Sequence, residues 1–138
     1  MGTHVTCKRI ADLNPTVLYI EDEVEHRQLV QQALEAIGYG FVGAETGMEG
    51  IAAAQETLPD LVLLDIHLPD VLGYEVVRQL RASSNPKLRD VPVIAISADT
   101  LRGAVEKALQ AGCDVYMSKP IHIRELWTRV QSFLSDFK

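Results

Sequence analysis

Four polar stretches in this chain each stand directly behind a short apolar run. Glu21-Asp22-Glu23 follows Val17-Leu18-Tyr19-Ile20, and Asp65 follows Leu61-Val62-Leu63-Leu64. Ser97 follows Val93-Ile94-Ala95-Ile96, and Ser118-Lys119-Pro120 follows Val115-Tyr116-Met117. Taken singly, each is an ordinary polar strand end; the combined set has sharper chemistry. Carboxylates gathered beside one lysine and one hydroxyl repel each other unless a cation joins them. An oxygen-rich set suits Mg²⁺, a hard ion that keeps several waters and takes few protein ligands. A carboxylate beside such an ion and an ammonium is placed to attack phosphorus. The positive charges screen its repulsion from an incoming phosphoryl group and hold the equatorial oxygens. Carboxylates are covalent nucleophiles in phosphoryl chemistry. The residue types therefore suggest acyl-phosphate formation with Asp65 as acceptor and Lys119 as the ammonium.

Those residues meet only if the chain folds so that the apolar runs lie side by side. The four runs above, together with Phe41-Val42, are continuously apolar rather than alternating, as expected of strands covered on both faces. Between them lie segments with helical spacing. Val30, Ala33, Leu34 and Ile37 precede Gly38 as a stop, and Thr46-Gly47-Met48-Glu49 reads as a capping box. Tyr74 to Ala82, and Leu101 to Ala111 before Gly112, supply two more helices. A last apolar stripe comprises Ile123, Leu126, Trp127, Val130, Phe133, Leu134 and Phe137. Asn85-Pro86-Lys87 reads as a polar loop. Strict strand–helix alternation predicts an α/β fold: a central five-stranded parallel sheet with right-handed crossovers and helices on both faces. The domain spans residues 15–138 behind a tail of residues 1–14. Ligands of such sheets bind beyond the carboxyl ends of the strands. Adjacent strands lie about 5 Å apart, so the polar residues should share one rim.

At the level of ordered motifs the chain resembles the receiver domains of response regulators in two-component signalling, over about residues 15 to 137. The resemblance rests on Ile20-Glu21-Asp22-Glu23, and on Leu64-Asp65-Ile66-His67-Leu68-Pro69 with Gly73 and Glu75. It also rests on Ala95-Ile96-Ser97-Ala98 and Tyr116-Met117-Ser118-Lys119-Pro120. It implies a flavodoxin-like (βα)5 fold, in agreement with the alternation. It implies that Asp65 takes a phosphoryl group from a phosphohistidine on a histidine kinase or histidine phosphotransfer protein. By the same resemblance Glu21 and Asp22 are the acidic pair for Mg²⁺, aided by Asp65 and the backbone carbonyl of His67. Lys119 grips a phosphoryl oxygen, Ser97 turns toward the phosphoryl group, and Tyr116 moves inward in step with it. The Lys119-Pro120 bond is expected to be cis, at modest cost for an X-Pro bond. Output is expected through the fourth helix, fifth strand and fifth helix, by contact with another protein.

The chain departs from the family pattern in places. Leu72 stands where the family often has Asp, outside the core site, and Glu21 replaces the commoner Asp, lengthening one arm. His67 and Asp99 occupy positions that tune the lifetime of the phosphoryl group. The stretch Ala111-Gly112-Cys113-Asp114-Val115-Tyr116 looks most like stand-alone regulators and receivers of hybrid kinases.

Composition narrows the alternatives. Thirteen Lys and Arg against nineteen Asp and Glu leave a net charge of −6, which disfavours broad contact with nucleic-acid phosphates or anionic membranes. No apolar run nears the ~20 residues of a membrane helix. Cys7 and Cys113 form no C-x-x-C pair, which fits a reducing, cytoplasmic setting. Cys113 reads as a small buried hydrophobe and Trp127 as packing. Met1-Gly2-Thr3-His4-Val5-Thr6 matches a loose myristoylation pattern that chance readily produces. Gly38-Tyr39-Gly40-Phe41-Val42-Gly43 spells G-x-G-x-x-G, but it follows a helix and enters a strand, the reverse of a dinucleotide loop. A flavin phosphate would meet Glu21-Asp22-Glu23 and be repelled. His4, His26, His67 and His122 read as surface residues. Arg124 and Arg129 read as a solvated face, with pairing across a homodimer as the alternative. Two rival functions share the fold. A small-molecule phosphatase acting through an aspartyl-phosphate lacks a second Asp two residues after Asp65 and any cap insertion. A phosphorylation-independent interaction module leaves the acceptor set without a purpose. A non-enzymatic signalling switch is the expectation.

Overall fold

The computed structural model describes residues 14–98 and 103–134. Strands and helices alternate as β1 (Thr16–Ile20), α1 (Val24–Ala36), β2 (Gly40–Ala44), α2 (Gly47–Thr57), β3 (Leu61–Asp65) and α3 (Gly73–Arg81). A single helical turn (Pro86–Arg89) then precedes β4 (Val93–Ser97), α4 (Ala104–Ala111), β5 (Val115–Ser118) and α5 (Ile123–Leu134). The five strands pair in parallel in the order β2-β1-β3-β4-β5. This is the flavodoxin-like α/β architecture expected from the alternation.

The continuous apolar runs are explained by two cores, one on each face. Leu18 and Ile20 of β1, with Val62 and Leu64 of β3, pack toward α2, α3 and α4. Val17 and Tyr19, with Leu61 and Leu63, pack toward α1 and α5. Successive strand residues point to opposite faces, so a strand buried on both must be apolar at every position. All five residues of β3 and of β4 are buried. At about 1.5–3 kcal/mol per fully buried aliphatic side chain, each of these strands contributes several kcal/mol of apolar burial. The strand that carries Asp65 is the central one of the sheet, buried at every position.

Several helix ends follow their local signals. Gly38 and Gly112 adopt the left-handed conformation (φ +91° and +117°) where α1 and α4 stop. The Thr46 side chain accepts the Glu49 N–H at 3.0 Å, as a capping box requires. Glu49 itself, however, accepts from the Glu45 N–H rather than that of Thr46. The stretch Asn85-Pro86-Lys87 is not a loop. Asn85 caps the single turn by accepting the Lys87 N–H at 2.9 Å, with Pro86 in the first turn, where its missing N–H costs nothing. Cys113 is buried, with its thiol pushed up to about 11 mainly by that burial. Trp127 donates its indole N–H to the Ala33 carbonyl, joining α5 to α1. No helix among the described residues is long and apolar enough to cross a membrane.

The end of the sheet away from Asp65 is clamped by Arg81. Its five N–H bonds reach the Gly112 carbonyl twice, the Val91 and Arg89 carbonyls, and Asp114 Oδ2, at 2.6 to 3.1 Å. Asp114 Oδ2 also accepts the Val93 N–H at 2.8 Å. One side chain thus joins α3 to the segments that begin β4 and β5.

Candidate functional site

The carboxyl ends of β1, β3, β4 and β5 bring the expected residues to one rim. Glu21 and Asp22 follow β1 directly, Asp65 ends β3, Ser97 ends β4, and Lys119 follows β5. The register sets Asp65 beside Ile96 and Ser97 beside Ser118, so Asp65 and Ser97 end adjacent strands. Carboxylate oxygens of Glu21, Asp22 and Asp65 lie within 4.8 Å of one another. Glu21 and Ser97 have no exposed surface, Asp65 is 5% exposed, and Asp22 is open to solvent.

Lys119 draws this cluster together. Its ammonium donates to Glu21 Oε1 at 2.8 Å and to Asp65 Oδ2 at 3.1 Å. Burial would discharge the lysine, but Glu21 and Asp65 outweigh it and hold its pKa above the usual value. Burial also opposes ionisation of Glu21. There the Lys119 ammonium, the Glu23 N–H and the Tyr19 hydroxyl prevail and bring the carboxyl down to about 2. Asp65 goes the other way: burial raises its pKa, with Glu21 adding to the rise and the His67 N–H and Lys119 opposing it. Asp22 is also raised, by the modest burial of its carboxyl and by Glu21 beside it. Asp65 is thus an uncomfortable carboxylate next to a comfortable one. All donors in the set are hard oxygens with one exposed member, a chemistry that fits Mg²⁺ rather than a softer metal.

The backbone after Asp65 is held tightly. The His67 N–H donates to Asp65 Oδ1 at 3.0 Å, and the Gly73 N–H donates to the Ile66 carbonyl at 2.7 Å. A Cβ on Gly73 would stand 2.8 Å from the Asp65 carbonyl oxygen and 2.9 Å from Ile66 Cα. Only glycine lets α3 begin this close to Asp65. The Lys119–Pro120 bond is cis, as the motif implies. Tyr116 is half-buried in β5, and His67 is exposed. Asp99 lies outside the described residues, as do His4, Cys7 and Phe137.

Three participants were not legible as such in the sequence. His26 does not stand apart on the surface: its Nδ1 lies 3.5 Å from Lys119 Nζ, Glu21 Oε1 and Glu23 Oε1. Its position one helical turn after Glu23 was the available signal. Tyr19, buried in the core, donates its hydroxyl to Glu21 Oε1 at 3.0 Å. Asp70 accepts the Gly47 and Met48 N–H groups at 2.8 and 2.9 Å, fastening the loop after Asp65 to the start of α2. Its slight burial is outweighed by those donors, which keep the Asp70 carboxyl below its usual range. A depressed carboxyl contributes stability above its unfolded pKa and loses it as pH falls through the folded one. Asp70→Ala is therefore expected to melt a few degrees below wild type at pH 7. That gap should narrow below about pH 4, as thermal melts across pH will register. A gap that widens on acidification would contradict this role.

A family model described as the response regulator receiver domain matches residues 17–131. The polar-differentiation response regulator DivK of Brucella ovis is 36% identical over 124 residues, covering 90% of this chain and 99% of that protein. DivK of Brucella anthropi is 37% identical over 121 residues, with 88% and 97% covered. Among solved structures, the receiver domain of a sensor histidine kinase from Pseudomonas aeruginosa superposes with a TM-score of 0.80 at 31% identity. It covers 89% of this chain and 99% of that one, and has a magnesium ion coordinated in its active-site cleft. The chemotaxis response regulator CheY4 of Vibrio cholerae is similar at TM-score 0.80 and 25% identity, with 88% and 99% covered.

Proposed function

Because this chain belongs to the response regulator receiver domain family, we propose that it is a phosphoacceptor switch. On this reading a phosphohistidine of a histidine kinase or histidine phosphotransfer protein supplies the phosphoryl group to Asp65, within the domain of residues 15–138. The observation that carries the reading is the Lys119 ammonium joining the buried Glu21 to Asp65, with Asp22 in the same oxygen cluster.

Glu21, Asp22 and Asp65, with the His67 backbone carbonyl, would hold Mg²⁺. When bound, the ion supplies positive charge against the phosphoryl oxygens and lowers their repulsion from the acceptor. The remaining work falls to the protein's own groups. The His67 N–H fixes one oxygen of Asp65, so the carboxylate presents a single orientation to the donor. An Asp65 oxygen forms the bond to phosphorus as the phosphorus–nitrogen bond of the donor breaks and its electron pair returns to the imidazole. Lys119, already 3.1 Å from Asp65, transfers a hydrogen bond to a phosphoryl oxygen. Ser97 and Tyr116 respond next, and His67 and Asp99 set how long the acyl phosphate lasts. The switch acts by population: phosphorylation favours the active arrangement only as far as that arrangement binds the phosphoryl group better. It is a signalling element rather than a turnover enzyme.

Two surfaces support this use. A cleft of ≈ 400 Å³ beside the acceptor is lined by His26, Leu29, Ala98, Lys119, Pro120 and Ile121, apolar walls suited to a protein donor. On α4, Val105 and Leu109 stand one turn apart and are 45% and 46% exposed, an apolar pair on the expected output face. The test is to incubate the wild-type protein with Mg²⁺ and acetyl phosphate and measure its intact mass. One phosphoryl adduct, lost when a chelator replaces Mg²⁺, is the expected result. No adduct would favour a phosphorylation-independent interaction module, and continuous consumption of phosphate esters would favour a phosphatase.

A further inference from the structure

Tyr19 heads the fully buried side chains by volume, yet none of the steps above uses its hydroxyl. It lies on β1 with its ring on the face toward α1 and α5, and its hydroxyl reaches Glu21, the residue just past the strand. Three donors converge on the Glu21 carboxylate. Oε1 accepts the Tyr19 hydroxyl at 3.0 Å and the Lys119 ammonium at 2.8 Å, which together occupy its two lone pairs. Oε2 accepts the Glu23 N–H at 3.1 Å and neither of the other two donors. Glutamate has one more rotatable bond than the aspartate commoner at this position, so its carboxylate needs more to hold it still.

We infer that Tyr19 is a positioning residue for the metal: its hydroxyl anchors Glu21 Oε1 from the core side and leaves Oε2 as the oxygen that meets the ion or its water. This deepens the proposed function and rests on the reading of the Glu21–Asp22–Asp65 cluster as a Mg²⁺ site. The phenol is suited to the task because its hydroxyl is a neutral donor carried on a ring that the core holds in place. Preorganisation of this sort raises affinity by removing the cost of ordering a ligand arm when the ion arrives.

Tyr19→Phe keeps the ring in the core and removes only the donor. Isothermal titration calorimetry of the metal-free protein with MgCl₂ should show binding weakened roughly three- to tenfold, the scale of one hydrogen bond. Repeating the comparison in a Glu21→Ala background separates positioning from general loosening. If Tyr19 acts through Glu21, its substitution there changes Mg²⁺ affinity less than about twofold. Equal Mg²⁺ affinity for wild type and Tyr19→Phe would overturn the assignment, and so would the same loss in both backgrounds. A wild type that binds no Mg²⁺ would overturn the metal reading along with it. A wild type that binds Mg²⁺ but forms no phosphoryl adduct would sink the switch while leaving the Tyr19 comparison intact.

Discussion

Asp65→Asn is expected to abolish phosphoryl uptake and, in the same protein, to raise the melting temperature of the metal-free state. Loss of uptake follows because an amide oxygen is no match for a carboxylate as a nucleophile, and no other carboxylate of the cluster sits at the end of β3. The gain in stability follows from the direction in which the site pushes Asp65. Burial, with Glu21 adding, raises its carboxyl above the usual range, so the ionised form is disfavoured in the folded protein. An acid raised in this way costs stability above its folded pKa, and the cost disappears as pH falls toward the unfolded value. Asn removes the charge, keeps one oxygen for the His67 N–H, and leaves Lys119 its pair with Glu21 at 2.8 Å. The variant should melt a few degrees higher at neutral pH, and the advantage should shrink on acidification as wild-type Asp65 takes up its proton. Added Mg²⁺ should stabilise the wild type and do much less for the variant. A lower melting temperature at neutral pH would show that Asp65 is a structural charge and not a strained functional one.

The second large effect lies at the other end of the sheet. Arg81→Ala is expected to cost about 3 kcal/mol, or roughly 10 °C in melting temperature. The side chain is 24% exposed, and its guanidinium satisfies carbonyls of Arg89, Val91 and Gly112 as well as Asp114. Its removal strands the part-buried carbonyls of Val91 and Gly112, and such acceptors are costly to leave unpaired. Arg81→Lys should recover only part of the loss, because one ammonium cannot span acceptors that a planar fork reaches together. Urea unfolding of the three proteins provides the measurement. A loss under about 1 kcal/mol for the alanine variant would mean that water replaces the clamp without difficulty.

How much of this was readable from the chain alone follows from the range of the interactions. Strand runs and their polar ends are local patterns, and parallel pairing then forces Glu21, Asp65, Ser97 and Lys119 onto one rim. Asn85-Pro86 was also local, an N-cap followed by a first-turn proline, and its composition disguised it as a loop. Other contacts had no local mark. Arg81 meets Gly112 and Asp114, 31 and 33 residues away, and Asp70 meets Gly47 across 23. Nothing in the spacing of such residues foretells a hydrogen bond. His26 reaches the site only because α1 is rolled to bring it there, a rotation set by the packing of Val30, Ala33 and Leu34. Tyr19 was legible as core, while the direction of its hydroxyl depended on a partner already claimed by Lys119.

The Arg81 clamp has a bearing on how the domain can change. A strand of five residues places it about 17 Å from the rim that holds Asp65, and the two networks share no hydrogen-bond partner. Kinetic tuning and thermal hardening can therefore be pursued as separate projects in one small molecule, with substitutions at the two poles combining additively.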